Sequence, residues 1–441
     1  MTLNQSWNKS LSTNYNSFFD DYYYATVLFS MVISHKLKSG DDQYIVANKS
    51  FNKLKNNFKD NFKLKSLIKY FTIVCINTKK PEKNRAIIDI SPRFNYLKSI
   101  VLSNFQNNYN YDVIDLYHSS KIIRLINRLP FIFFRKEIGN VLKNVTFSDF
   151  EFLLRDNNLM KRLDKLVQDE VNYMANLLVK KNVKFVFFTD GFQFHKLLII
   201  LAAKVKNIPC YEMFHGYHQS SFYSQLFFCN NLLVWNYEQK IKISNSVNKS
   251  KIQVFGYPGF DEKKINSMKR IYSQDPKRIT YVSQPQSIKD KKNIYERLNI
   301  LKLSGYKIFV RLHPKEVKSK EHKIIFKLTN EFGFEISTNL LEEDILKSKI
   351  ILGRSTTVLY EALLINKNSL QIEEQTINNV HVYKQIASIK LDEIEKLKND
   401  DFVNKVLGMN KREKLINDFN VKVRLLIDVS IRSRTDRDYP L

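Results

Sequence analysis

Val310-Arg311-Leu312-His313-Pro314-Lys315-Glu316 closes the apolar run Tyr306-Lys307-Ile308-Phe309-Val310. About forty residues further on, Gly353-Arg354-Ser355-Thr356-Thr357 stands between Lys349-Ile350-Ile351-Leu352 and Val358-Leu359-Tyr360-Glu361-Ala362-Leu363-Leu364. The run before each polar turn is β-type, and the run after the second is helix-like. Each turn therefore places polar groups just past the carboxyl end of a strand, where open α/β sheets bind ligands. The second turn also offers hydroxyls and backbone N–H groups at a helix start, which favours an anion. A histidine, an arginine and a hydroxyl-rich helix start on one crevice fit a nucleotide monophosphate or diphosphate, and so a transferase.

The same alternation extends in both directions. Upstream, strand-like segments are Tyr44–Ala47, Phe71–Ile76, Val183–Phe188, Ile208–Phe214, Leu232–Trp235 and Ile252–Phe255. Helical stretches separate several of them, among them one from about Asp149 to Lys180. A second series starts at Ile279 and runs through both turns to Ser369–Ile372, and from about Leu391 the chain reads as helices with Lys and Arg faces. Short β runs separated by helices predict parallel sheets with crossover helices. The turn Gly256-Tyr257-Pro258-Gly259 and the basic stretch Asp261–Arg278 form the candidate interdomain linker.

At 441 residues the chain is too long for one ordinary core. With 44% hydrophobic residues it is globular. Two similar α/β domains with a cleft between them are the simplest architecture. The expected boundaries are 1–260 for an acceptor-binding domain, 261–395 for a nucleotide-binding domain and 396–441 for a helical tail that crosses back or lies on a membrane. The formal net charge of +27 is either a solvated lysine-rich surface or a face for an anionic partner such as an acidic glycan or a lipid leaflet. Cys75, Cys210 and Cys229 lack metal-type spacing, and Cys75 and Cys210, inside apolar strand-like runs, read as buried thiols in a reducing compartment. The polar N-terminus lacks a signal-peptide layout, so a cytoplasmic location, peripheral to the membrane in one version, is expected.

Further candidates stand at other strand ends. Before Pro314, His313 is disfavoured in α geometry, which would turn its imidazole toward the crevice. Thr356 or its neighbours could merely cap a helix, but three consecutive hydroxyls exceed what a cap needs. Glu361 is either a solvated helix residue or an acceptor for ribose hydroxyls. His215-Gly216 ends a strand, and a histidine there is either a general base or a structural residue in an aromatic loop. Asp190-Gly191 is a base, an orienter of His215 or an N-cap. No Gly-X-Gly-X-X-Gly, Walker loop, Cys-X-X-Cys or His-Glu-X-X-His pattern occurs, and no Asp-X-Asp stands in a convincing position. A reaction without metal or cofactor is the expectation.

The order His215-Gly216, Gly256-Tyr257-Pro258, Ser283-Gln284-Pro285, Arg311–Glu316 and Ser355-Thr356-Thr357 with Glu361 resembles the GT-B bacterial surface-polysaccharide transferases. That group includes capsule polysialyltransferases, lipooligosaccharide sialyltransferases, Kdo transferases and CDP-glycerol glycerophosphotransferases. The resemblance spans roughly Lys181 to Glu373. It implies two Rossmann-like domains and a donor phosphate held by His313, Ser355 and Thr356, with Arg311, Thr357, Gln284 and Glu361 in the same nucleotide site. It also implies a base at a strand end of the N-terminal domain. Sialyltransferase branches carry an acidic-acidic-Gly triplet there, whereas this chain has Phe214-His215-Gly216, which fits the His-Gly branches. The donor is thus open between CMP-, CDP-, UDP- and GDP-linked groups, and a polyol-phosphate transferase is the alternative. A basic nucleic-acid-binding protein ranks below both, because the aromatics sit in apolar strand runs and not among surface cations.

Overall fold

A computed structural model describes residues 83–91, 94–116, 157–189, 194–214, 229, 231–244, 252–319, 321–354, 356–366, 368–373, 385–411 and 419–435. The strand-like runs Tyr44–Ala47 and Phe71–Ile76, and Cys75, lie outside them. The described residues form two compact units. One takes those up to Phe255 together with those from Asn420 onward, and the other runs from Gly256 to Phe419.

In the first unit, strands β1 (Arg85–Asp89), β2 (Asp112–Asp115), β3 (Val183–Thr189), β4 (Cys210–Met213), β5 (Asn231–Val234) and β6 (Ile252–Val254) form a sheet in the order β2-β1-β3-β4-β5-β6. Every pairing is parallel. Helices α1 (Asn95–Ser103), α2 (Asn157–Lys180), α3 (Phe194–Val205) and α4 (Tyr237–Ser244) belong to the same unit. β3 is apolar at nearly every position because a parallel strand is covered on both faces. The turns out of α2 and α3 pass through Asn182 and Asn207 at φ 54° and 51°, and asparagine tolerates this left-handed geometry better than most residues.

The second unit holds α5 (Glu262–Ile271), β7 (Asp275–Val282), α6 (Ile288–Leu303), β8 (Lys307–Arg311), α7 (Pro314–Val317), α8 (His322–Glu331), β9 (Glu335–Ile336), α9 (Leu341–Lys347), β10 (Ser348–Gly353), α10 (Thr357–Asn366), β11 (Ser369–Ile372), β12 (Ser388–Ile389) and α11 (Asp400–Gly408). Its sheet runs β12-β11-β10-β7-β8-β9, again all parallel. The chain starts at the centre with β7, moves out one side through β8 and β9, and returns to the other side at β10. This is the doubly wound Rossmann order, with its topological switch point between β7 and β10. Tyr281, Tyr295, Leu298, Val310, Ile350 and Leu352 form the heart of its core.

The stretch Asp261–Arg278 is no linker. Asp261 caps α5 by accepting a hydrogen bond from Lys264 N at 2.9 Å. Ile265 is fully buried beneath that helix, and β7 already begins at Asp275. The basic composition reflects the solvent face of a short amphipathic helix, with Lys269 and Arg270 placed in the last turn, where cations complement the helix dipole.

The C-terminal residues are shared between the units. Ile394, Leu397, Val403 and Val406 pack into the second core. Helix α12 (Phe419–Thr435) joins the first unit. There Asn104 Nδ2 donates to Asn420 Oδ1 at 2.7 Å, Tyr211 Oη and Ser430 Oγ lie 2.6 Å apart, and Tyr109 Oη donates to Asp428 at 2.6 Å. Burial, reinforced by Asp428, pushes the Tyr109 hydroxyl up to about 12. No helix among the described residues is long and apolar enough to cross a membrane.

Candidate functional site at the carboxyl edge of the second sheet

Register brings the two opening turns together. Gly353 of β10 pairs with Val282 of β7, and Val282 pairs with Arg311 of β8. The three strands thus end in one row at the switch point, with Ser283-Gln284, Leu312-His313 and Arg354 directly after them. Gly353 allows this closeness. A Cβ there would meet Thr356 Cγ2 at 3.2 Å and the Val282 carbonyl oxygen at 3.3 Å.

The His-Pro turn is a compact cap. His313 O accepts from Glu316 N at 2.8 Å and Val317 N at 3.2 Å, so His313 caps α7 and Pro314 takes its first position, where proline fits best. Glu316 then reaches back, its Oε2 accepting from His313 N at 2.7 Å, as the third residue of a capping box does. His313 itself is half-buried.

Beneath this turn lies a buried polar cluster. Lys291, in the first turn of α6, has a side chain with 0% exposure, and that of Glu316 is 2% exposed. Lys291 Nζ donates to Glu316 Oε1, to Ser283 Oγ at 2.8 Å and to the Gln284 carbonyl at 2.6 Å. Ser283 Oγ donates in turn to Glu316 Oε1 at 2.9 Å. Gln284 is half-buried and contributes its backbone to this cluster.

Arg311 points into a different network. Its Nη1 donates to Asp344 Oδ2 at 2.7 Å and to the Asn339 carbonyl at 2.9 Å. Asp344 also receives Arg278 Nη2 at 2.5 Å, and Ser337 Oγ stands within hydrogen-bond reach of both its oxygens. Arg311 thereby braces the end of β8 and the segment after β9.

On the opposite side of the row, Thr356 is buried and caps α10, with Val358 N donating to its Oγ1 at 3.4 Å and Leu359 N to its backbone oxygen at 3.1 Å. Thr357 is the first residue of that helix and half-buried. Glu361, one turn further, is only 2% exposed. It is no solvated residue, because its Oε1 accepts a 2.5 Å hydrogen bond from Tyr257 Oη. The Tyr257 ring in turn rests on Gly259 and stands 4.8 Å from Phe260 and 6.5 Å from Tyr360. A Cβ at Gly259 would come within 2.3 Å of Tyr257 Cε1. Gly259→Ala is therefore expected to push the ring off Glu361 and to destabilise the second unit by about 1–3 kcal/mol. Tyr257→Phe, which removes only the hydroxyl, should cost about 1.5–3 kcal/mol. Urea unfolding followed by circular dichroism checks both. Unchanged midpoints would mean that Tyr257 does not lock Glu361.

Ser355, Asp190 and His215 lie outside the described residues. The frame around Asp190 is nonetheless visible. Thr189, the last residue of β3, has its Oγ1 receiving Ser91 N at 2.7 Å and its carbonyl receiving Lys196 Nζ at 3.0 Å. Lys196 is buried and pairs with Asp89, the last residue of β1, at 3.2 Å. Cys210 and Cys229 are buried free thiols, and burial, with Glu212 nearby, pushes both well above the usual range.

Lys291, Asp344 and Tyr257 escaped the sequence as site residues. Only Glu316 carried a readable signal, through the spacing His-Pro-X-Glu that a capping box prescribes. Nothing in the sequence distinguishes Lys291 from the lysines around it. Its burial follows from its place on the inner face of α6.

No family model matches the sequence. No curated protein matches it either. Among solved structures, the chain resembles MnaA of S. aureus in its UDP co-structure, with TM-score 0.49 and 11% identity over 79% of this chain and 97% of that one. It also resembles UDP-GlcNAc 2-epimerase from Neisseria meningitidis bound to UDP-GlcNAc, with TM-score 0.46 and 13% identity over 79% and 100%. A third is UDP-N-acetylglucosamine 2-epimerase from Rickettsia bellii, with TM-score 0.45 and 13% identity over 81% and 98%.

Proposed function

We propose that this chain is a glycosyltransferase that moves a sugar from a nucleotide-sugar donor to a growing bacterial surface glycan such as capsule, lipooligosaccharide or O-antigen. The supporting observation is the row of strand ends at the switch point, in which β7 stands between β8, which leads to His313, and β10, which ends at Gly353. In this scheme His313, Ser355, Thr356 and Thr357 hold the donor phosphate, and Glu361, buried and bonded to Tyr257, fixes helix α10 behind them. Gln284 lines the same edge, and Arg311 braces it through Asp344.

The first unit binds the acceptor glycan. His215 takes the proton of the attacking hydroxyl while the acceptor oxygen bonds to the anomeric carbon. The bond from that carbon to the phosphate oxygen breaks, and the nucleotide departs with the electron pair. Asp190 orients or assists the base. Donors fixed in advance around the leaving phosphate supply the larger part of the rate, because they need no reorganisation as charge develops. The positive charge of the chain suits an acidic or lipid-linked acceptor at the inner face of the cytoplasmic membrane.

A panel of radiolabelled CMP-, CDP-, UDP- and GDP-linked donors, each with extracted surface glycan as acceptor, tests this function. One donor is expected to transfer label to the glycan with release of its nucleotide. Transfer of glycerol or ribitol phosphate from a CDP-linked polyol would move the chain to the polyol-phosphate branch, which Phe214-His215-Gly216 favours over the sialyl branch. Turnover of a nucleotide sugar with no nucleotide released, or no turnover of any donor, would remove the transferase.

A further inference from the structure

The buried cluster of Lys291, Glu316 and Ser283 touches the backbone of two neighbouring segments at the sheet edge, at Gln284 and at His313. We infer that Lys291 and Glu316 are positioning residues, which set the distance between the Gln284 and His313 turns so that both address one nucleotide phosphate. The inference rests on the phosphate role given to His313 above, and deepens it.

Chemistry argues against a brace for stability alone. Two buried charges lose most of their mutual attraction to the cost of leaving water, so a buried ion pair is a weak stabiliser compared with packed apolar side chains. This pair is instead fully engaged in backbone geometry. Each of the three ammonium protons of Lys291 has an acceptor: Glu316 Oε1, Ser283 Oγ and the Gln284 carbonyl. The carboxylate divides its work, with Oε1 facing Lys291 and Ser283 and Oε2 taking His313 N. The result is one closed chain of hydrogen bonds from the residue after β7 to the residue that caps α7. In so buried a place a fully satisfied polar network has one low-energy geometry. His313 and Gln284 therefore inherit a fixed separation before any ligand arrives, and no reorganisation is needed on binding.

The test uses variants that keep the charges paired and alter only reach. Glu316→Asp shortens the carboxylate arm by one methylene, so it cannot face Lys291 and His313 N together. Lys291→Arg replaces a compact ammonium by a longer planar fork. Ser283→Ala removes a single hydroxyl and is the variant least able to unfold the chain. Binding of UDP, CDP, GDP and CMP is measured by titration calorimetry on the full chain, at a temperature where each variant is shown to be folded by circular dichroism. The nucleotide that binds the parent most tightly then serves as the probe.

Glu316→Asp and Lys291→Arg are expected to weaken the probe by about tenfold to a hundredfold, the scale on which misplacement of about an ångström acts. Ser283→Ala should weaken it less, and the His313 imidazole signal in ¹³C-histidine spectra should lose its response to the probe in the first two. A brace for stability alone would lower melting temperatures and leave affinity of the folded protein unchanged. Parent-like affinity in folded Glu316→Asp and Lys291→Arg would overturn the inference while leaving the phosphate site standing. Parent-like affinity in His313→Ala would instead remove the phosphate site itself.

Discussion

His313→Ala is expected to lower kcat/KM for the donor by about a hundredfold or more while leaving the fold intact. The two halves of that expectation have separate causes. Residue 313 anchors the turn through its backbone: the nitrogen donates to Glu316 Oε2, and the carbonyl receives Glu316 N and Val317 N. Alanine keeps all three bonds, and Pro314 still occupies the first position of the short helix. Stability should therefore stay within about 1 kcal/mol, as for substitutions away from packed core atoms. The imidazole has the opposite balance. Removing one preorganised donor from a developing negative charge costs about a hundredfold to a thousandfold in rate. Initial rates with the donor found in the panel, beside urea unfolding of the same preparation, measure both halves. Unchanged turnover would remove His313 from the phosphate site. Lost turnover with a lost fold would mean that the imidazole serves the core.

What the sequence revealed and what it concealed follow from how far each signal extends along the chain. Strands β7, β8, β10 and β11 were legible because parallel strands covered on both faces are rich in apolar residues, as in Lys349–Leu352, whereas the two-residue β9 and β12 are too short to show a pattern. The same period exposed the turns that follow them. β1 escaped because its five residues Arg85–Asp89 begin and end in charge, and the charges are hidden only by tertiary partners: Asp89 pairs with Lys196, more than a hundred positions away. Asp261–Arg278 read as a linker because its polar face dominates the composition, while one buried residue, Ile265, holds the helix down. Glu361 looked like a solvated or ribose-facing residue, and only folding brings Tyr257 to it across a hundred residues of chain. Arg311 was legible as a cation at a strand end, but not as a partner of Asp344. A local pattern names the strand end, and non-local pairing decides which way its side chain is spent.

Asp344→Ala should be the most damaging single change to stability in the second unit, at about 3–5 kcal/mol. Asp344 has 0% exposure, so its carboxylate is shut off from water and surrounded by protein groups. Arg278 Nη2 at 2.5 Å and Arg311 Nη1 at 2.7 Å supply two cations, and Ser337 Oγ and Asn339 Nδ2 complete the ring of donors. Arg278 is itself buried, with its guanidinium 3.7 Å above the Phe309 ring. Removing the carboxylate leaves that charge uncompensated and out of water, which is the costly way to break a buried pair. Against a typical total of about 5–15 kcal/mol for a domain, such a loss brings the unit near unfolding. Asp344→Asn keeps the volume but turns amide protons toward guanidinium protons, so it should recover only part of the loss. Trp235 lies in the first unit, and its fluorescence is the wrong reporter. Hydrogen exchange at the amides of β7, β8 and β10 reads the change directly, with exchange through global opening of that unit expected to quicken by about a hundredfold or more. The site should suffer before the fold does. With Asp344 gone, Arg311 keeps the Asn339 carbonyl but loses its charged partner, so the end of β8, two residues ahead of His313, is held less firmly and nucleotide binding should weaken at temperatures where the sheet still holds. Exchange rates in Asp344→Ala equal to those of the parent chain would show that the two arginines find other partners, and that the bracing of β8 lies elsewhere.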